Sequence, residues 1–213
     1  MAYDLEEQES LEQLKAWWDK WGNLTLTVIT CGCLAFAGWN GWNWYKRNQG
    51  AKATAAYVQL QNAYVQGDQK NMKSLADGLM NEYPRHVFAS LAAMLKAAEA
   101  QKGGKLDEAR AALSWVLEKG GHEEYATIAR IRLAGVELDA KNAKKALAVL
   151  QAAKVLPGQQ ASYQDRLGDV YFALGDNDKA RQAWQAALQA DGNVQAISSL
   201  VSLKLASLPE TAK

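Results

Sequence analysis

The hydrophobic pattern changes character twice along the chain. From Leu24 to Tyr45 the text reads LTLTVITCGCLAFAGWNGWNWY, without one charged residue. At the helical rise such a run spans roughly 33 Å, enough to cross a hydrocarbon core of about 30 Å. Trp17, Trp18 and Trp21 stand before it, and Trp39, Trp42, Trp44 and Tyr45 close it, followed at once by Lys46 and Arg47. Indole and phenol rings concentrate where apolar and wet regions meet, so these seven aromatics read as interface anchors in a lipid bilayer. A cleaved secretory signal would open basic and end at small residues. This segment opens acidic and ends in tryptophans. The pattern therefore predicts a retained spanning helix over 24–45, preceded in 1–23 by an amphipathic helix with Leu11, Leu14, Trp18 and Trp21 on one face.

After Lys46 the text turns alanine-rich, with apolar residues at helical spacing and Gly or Asn at short intervals. Its clearest stretch is Leu167-Gly168-Asp169-Val170-Tyr171, then Gly175-Asp176, then Ala180-Arg181-Gln182-Ala183-Trp184-Gln185-Ala186-Ala187. That is the tetratricopeptide pattern of small, aromatic and bulky classes at fixed offsets. Small Gly168 and Ala180 suit the closest approach of two paired helices. Tyr171 and Trp184 suit the wedge between pairs, and Gly175 suits a left-handed helix stop. Stepping back along the chain meets Leu133-Ala134, Glu137, Ala146, Leu150 and Ala153, then Gly104, Ala109, Leu113 and Val116, then Gly67, Met72, Ala76 and Leu79. The spacing is irregular, 37, 37 and 34 residues between Met72, Ala109, Ala146 and Ala180. The predicted fold is all-α: one transmembrane helix, then in 46–213 a helical-repeat solenoid of about four pairs with a capping helix over Ala196–Leu208.

Charge sharpens this division. The 213 residues carry a net charge of only +1, which leaves no electrostatic footprint for nucleic acid. Residues 1–20 hold six acids against Lys15 and Lys20, whereas residues 46–213 carry a small basic excess. Two charged regions of opposite sign, on either side of an uncharged run, suggest different compartments. Cys31 and Cys33 are the only cysteines. About 200° apart on a helix, they cannot pair with each other, and with two histidines they make no metal-ligand spacing.

Chemistry is searched for and not found. His86 and His122 stand in turns between helices, and Gly103-Gly104-Lys105 lacks the strand and spacing of a phosphate loop. Asp107-Glu108 and Glu123-Glu124 are neighbours that diverge by about 100° on a helix. No catalytic residue, cofactor, metal or small-molecule substrate is expected. Repeat arrays bind extended peptides or partner helices with the first helix of each pair. The candidate partner-binding residues are accordingly Gln59 and Asn62, Lys96 and Glu99, Arg130 and Glu137, and Gln164.

The junction Gly38-Trp39-Asn40 to Tyr45, the runs Ala89-Ser90-Leu91-Ala92 and Ile131-Arg132-Leu133-Ala134, and Gly175-Asp176 to Ala183-Trp184 resemble the YfgM family. Its members are ancillary subunits of the SecYEG translocon in Gram-negative bacteria. The resemblance runs from about Glu12 to Leu208. It implies a single-pass inner-membrane protein with residues 1–23 in the cytoplasm and 46–213 in the periplasm. It further implies association with SecYEG and with PpiD, a membrane-anchored periplasmic chaperone, and a role in passing unfolded exported clients onward. The flanking bases, Lys15 and Lys20 against Lys46, Arg47 and Lys52, lean by one charge toward the opposite orientation. A rival reading keeps the same groove but makes the protein a membrane-tethered scaffold for envelope assembly or cell division.

Overall fold

The computed structural model describes residues 2–190 and 194–209, and among them it contains nine helices and no strand. These are α1 (Ala2–Val65), α2 (Gln69–Glu82), α3 (Val87–Lys102), α4 (Leu106–Lys119), α5 (Glu123–Asp139), α6 (Ala143–Gln151), α7 (Gln160–Ala173), α8 (Asn177–Gln189) and α9 (Val194–Ala206). The chain divides into two compact units, Met1–Ala51 and Lys52–Lys213.

In the first unit the helix is apolar on its outside across residues 24–45. Leu24, Val28, Leu34 and Phe36 are all exposed, and the helix is long and apolar enough to cross a membrane. Thr25 and Thr27 donate their hydroxyls to the carbonyls of Trp21 and Asn23, at 3.0 and 2.7 Å. Those bonds leave the helix without a bare hydroxyl donor at these positions, which hydrocarbon would penalise. At its two ends Lys20 lies 5.7 Å from the Trp21 ring centroid and Lys46 lies 5.4 Å from that of Trp42. Each cation sits over an aromatic face, a favourable arrangement at a wet boundary.

The second unit is the repeat array. Four successive pairs are formed by the end of α1 with α2, α3 with α4, α5 with α6, and α7 with α8, and α9 follows as a cap. Each pair turns in the same way. Gly67, Gly104, Lys141 and Gly175 have positive φ, and the next residue's N–H reaches back to the carbonyl of Ala63, Ala100, Glu137 or Tyr171 at 2.8–3.0 Å. This is the six-to-one bond of a Schellman stop, satisfying a carbonyl the helix end would orphan. Three of the four turns use glycine, because a Cβ strains the left-handed region. Lys141 (φ 60) is the exception. Lys141→Gly is therefore expected to raise the unfolding free energy by about 0.5–1 kcal/mol, the relieved strain being partly offset by a freer unfolded chain. Urea unfolding followed by far-ultraviolet circular dichroism checks it, and a destabilised variant refutes it.

The core is shared from pair to pair. Ala53, Leu60 and Ala63 of α1 pack with Met72, Ala76 and Leu79 of α2 and Ala92 of α3. Ala93, Met94, Ala97 and Ala100 of α3 pack with Ala109, Ala112, Leu113 and Val116 of α4 and Ala129, Leu133 and Val136 of α5. Further along, Ile131 and Ala134 meet Ala146, Leu150 and Val170. The last cluster joins Ala180, Trp184 and Ala187 to Val201 and Leu208 of the capping segment. Each pair thus buries its apolar surface against its neighbours, which is why the array holds together only as a stack.

Two expectations from the pattern take a different form. Ala153 was expected inside the second helix of the third pair, yet α6 ends at Gln151. Pro157 and Gly158 (φ 85) follow closely, and proline excludes a continuing helix. The buried Thr127 hydroxyl instead donates to the Lys154 carbonyl at 2.7 Å, and Gln159 Nε2 donates to the Glu124 carbonyl at 2.8 Å. Tyr171 and Trp184 were expected to share the wedge between pairs. Trp184 is the buried one (2% exposed), while Tyr171 is half-buried against the same cluster.

Candidate interaction surface

The expected partner-binding residues do lie on first helices, but in very different states. On α1, Gln59 and Asn62 are exposed. On α3, Lys96 is half-buried and ion-paired with Asp77 of α2, and Glu99 pairs with Lys102 at 2.6 Å. Arg130 on α5 and Gln164 on α7 are half-buried.

Glu137 departs furthest from expectation. It was expected on the open face, but it is 4% exposed. Its Oε1 accepts from Arg110 Nε at 2.6 Å, and Oε2 accepts from Arg110 Nη2 at 3.3 Å and Asn142 Nδ2 at 3.1 Å. The Arg110 bond, the largest influence, holds the carboxyl below the usual glutamate range. A carboxylate so enclosed ties α4 to α5 and has nothing left for a partner.

Two of the recesses in the array are lined by side chains of first helices. One, of about 120 Å³, is lined by Lys73, Lys96, Glu99, Lys105 and Glu108 with Gln69 and Met72. Most of its charges are paired: Lys73 with Glu108 at 2.8 Å, Lys96 with Asp77, and Glu99 with Lys102. The other, of about 450 Å³, lies among α5, α7 and α9 and mixes Ile128, Ile131 and Ile197 with Arg132, Arg166 and Gln159. Apolar walls with a few directional polar groups are what an extended peptide requires. Sequence reasoning named Arg130 as a partner-binding candidate of the third pair; the cationic side chains that line this recess are Arg132 and Arg166. The spacings Ile128–Ile131–Arg132 and Ser162–Asp165–Arg166 would have signalled a shared face.

The histidines serve local structure. His86 Nδ1 accepts from the Phe88 N–H at 3.3 Å and so caps α3. Burial, with nearby His122 as the lesser cause, lowers the His86 pKa. His122 Nε2 lies 3.1 Å from the Arg85 carbonyl, which ties the turn before α5 to the turn before α3. Among the described residues no three His, Cys, Asp or Glu side chains gather as metal ligands.

An apolar helix long enough to cross a membrane, in one chain with a repeat array whose helices α5, α7 and α9 line a recess of isoleucines and charged side chains, defines a class. This is a helical-repeat protein that carries one helix long and apolar enough to cross a membrane. The family model described as a tetratricopeptide repeat-like domain matches residues 15–210, and the chain belongs to that family.

Its relatives are full-length matches. The chain is 26% identical to a Haemophilus influenzae protein named Ancillary SecYEG translocon subunit, over 98% of this chain and 100% of that protein. It is 28% identical to a protein of the same name from Aggregatibacter actinomycetemcomitans, over 98% and 100%. Against the Escherichia coli K12 protein of that name identity is 26%, over 95% and 96%. The resemblance to the YfgM family read from the sequence is borne out.

Proposed function

We propose that the protein is an accessory subunit of the Sec translocon in the inner membrane, spanning it once over 24–45. Residues 1–23 lie in the cytoplasm and the repeat domain, 46–213, in the periplasm. There it associates with SecYEG and with a membrane-anchored periplasmic chaperone of the PpiD type, and helps newly exported, still unfolded proteins pass onward. The action is one of holding and positioning, without bond chemistry.

The observation that carries this reading is full-length similarity to proteins named as translocon subunits, covering the apolar helix and the array together. A likeness limited to the repeats would support only a generic adaptor. The recess of Ile128, Ile131, Ile197, Arg132 and Arg166 supports peptide holding, since side chains of both polarities face one concavity.

The test is purification of the full-length protein from native membranes in mild detergent after cross-linking, with and without residues 24–45 exchanged for an unrelated spanning helix. Recovery of SecY, SecE and SecG with the native helix, and their loss with the exchanged one, is the expected result. Recovery of cell-division or cell-wall proteins without any translocon subunit would overturn it and favour the tethered scaffold.

A further inference from the structure

Among the described residues four buried side-chain nitrogen or oxygen atoms lack a hydrogen-bond partner, and two of them line one recess. They are Arg166 Nε, a donor, and Gln159 Oε1, an acceptor, in the recess of about 450 Å³ among α5, α7 and α9. A buried polar atom left unpaired costs free energy. Two of opposite kind in one concavity call for a partner that the chain itself does not supply.

Both side chains are held in place by what their other atoms do. Gln159 Nε2 donates to the Glu124 carbonyl at 2.8 Å, which fixes the amide so that Oε1 is its free end. Arg166 Nη1 donates to Asp169 at 3.1 Å, and a third of the side chain (34%) stays exposed. Its guanidinium lies flat over Gly135 of α5, where a Cβ would stand 3.3 Å from Cζ and 3.5 Å from each Nη. What remains is the Nε side of the group. The same molecule shows what that side grips. Arg110 uses Nε and Nη2 to hold the Glu137 carboxylate, at 2.6 and 3.3 Å. The two oxygens of a carboxylate match this fork.

Charge around the recess selects the same group. Asp165, the acid in the lining, is already engaged by Lys204 at 2.6 Å. Arg132 of α5 is exposed and pairs with no acid among the described residues. The lining thus keeps an excess of positive charge beside Ile128, Ile131 and Ile197.

We infer that this recess binds an extended segment of another protein through one Asp or Glu side chain with an aliphatic residue two positions away. The carboxylate takes the Arg166 fork with Arg132 beside it, and a backbone N–H of the segment donates to Gln159 Oε1. Side chains two apart in an extended chain share a face, which sets the aliphatic neighbour against the isoleucines. The inference rests on the peptide-holding role proposed above and names the sequence that this role selects.

The test is fluorescence anisotropy with the full-length protein in detergent micelles and a dye-labelled peptide blocked at both ends. The peptide carries one Glu with Leu two positions to either side, and its counterpart has Gln in place of the Glu. The Glu peptide is expected to bind about tenfold more tightly, the scale of one charge-assisted contact. Arg166→Lys keeps the charge but loses the fork. It should remove most of that preference and leave the affinity for the Gln peptide as in wild type. Arg132→Gln should reduce the preference as well, whereas Lys144→Gln, at an exposed site on α6, should not. Equal binding of the Glu and Gln peptides overturns the inference but not the holding role, and no binding of either overturns both. A Gln peptide with a free carboxyl terminus that binds as tightly as the blocked Glu peptide would mean that chain ends are read instead, and also overturns it.

Discussion

Replacing Gly168 by alanine is expected to destabilise the repeat domain by about 3 kcal/mol, the upper range for overpacking a tight core. In an ordinary helix interior the same change stabilises, because glycine is the poorer helix former by about 1 kcal/mol. Here a Cβ on residue 168 would lie 2.4 Å from two atoms of the Trp184 ring and 2.8 Å from a third. The indole cannot swing aside. It is 2% exposed, and its Nε1 donates to the Asp165 carbonyl at 3.1 Å. The cause can be isolated by a double-mutant cycle in urea unfolding. Trp184→Leu alone costs about 2–3 kcal/mol through lost burial. In that background Gly168→Ala should be neutral or slightly stabilising, because the obstructing ring is gone. An equal cost in both backgrounds would show that Gly168 is needed for something other than the tryptophan.

Arg110→Met should cost about 3 kcal/mol, because it strands Glu137 in the stack. Removing one member of an enclosed ion pair leaves a charge that protein replaces poorly, whereas removing both is often nearly neutral. The Glu137 side chain is 5% exposed, and without Arg110 only Asn142 would still donate to it. The double variant Arg110→Met, Glu137→Met is expected within about 1 kcal/mol of wild type. Acidity gives a second readout. The folded-state pKa of Glu137 is depressed, so its stabilising contribution is complete above the ordinary glutamate value and is lost as pH falls through the lower folded value. Wild type should therefore lose stability on acidification more steeply than the double methionine variant. A parallel pH dependence would rule out the pair as its source.

These two sites differ in how far the sequence discloses them. Gly168 and Trp184 belong to the repeat pattern, so their residue types alone place a small side chain against a bulky one. The partnership of Arg110 with Glu137 joins residues 27 apart on separate helices, and no local rule couples them. Lys204 likewise reaches Asp165 at 2.6 Å and Asp169 at 2.7 Å from α9, fixing the cap onto α7. At Lys141 the pattern supplied no glycine, yet the turn there matches its three counterparts.

The sequence by itself determined what is local and periodic: the uncharged run, the aromatic girdles, the pairing of helices, and the glycine stops at 67, 104 and 175. Each depends on the chain's own local geometry and residue types. The tertiary structure alone decided which polar side chains are available to a partner. The reason lies in the first helices. On α3 the buried residues include Ala89, Ser90, Ala92, Ala93, Met94, Ala97 and Ala100, because the helix is gripped by the pairs before and after it. Burial on two sides blurs the single apolar stripe from which an open face is read. Hence Glu137 looked available but is enclosed, while Arg132 and Arg166 went unnoticed and line the recess.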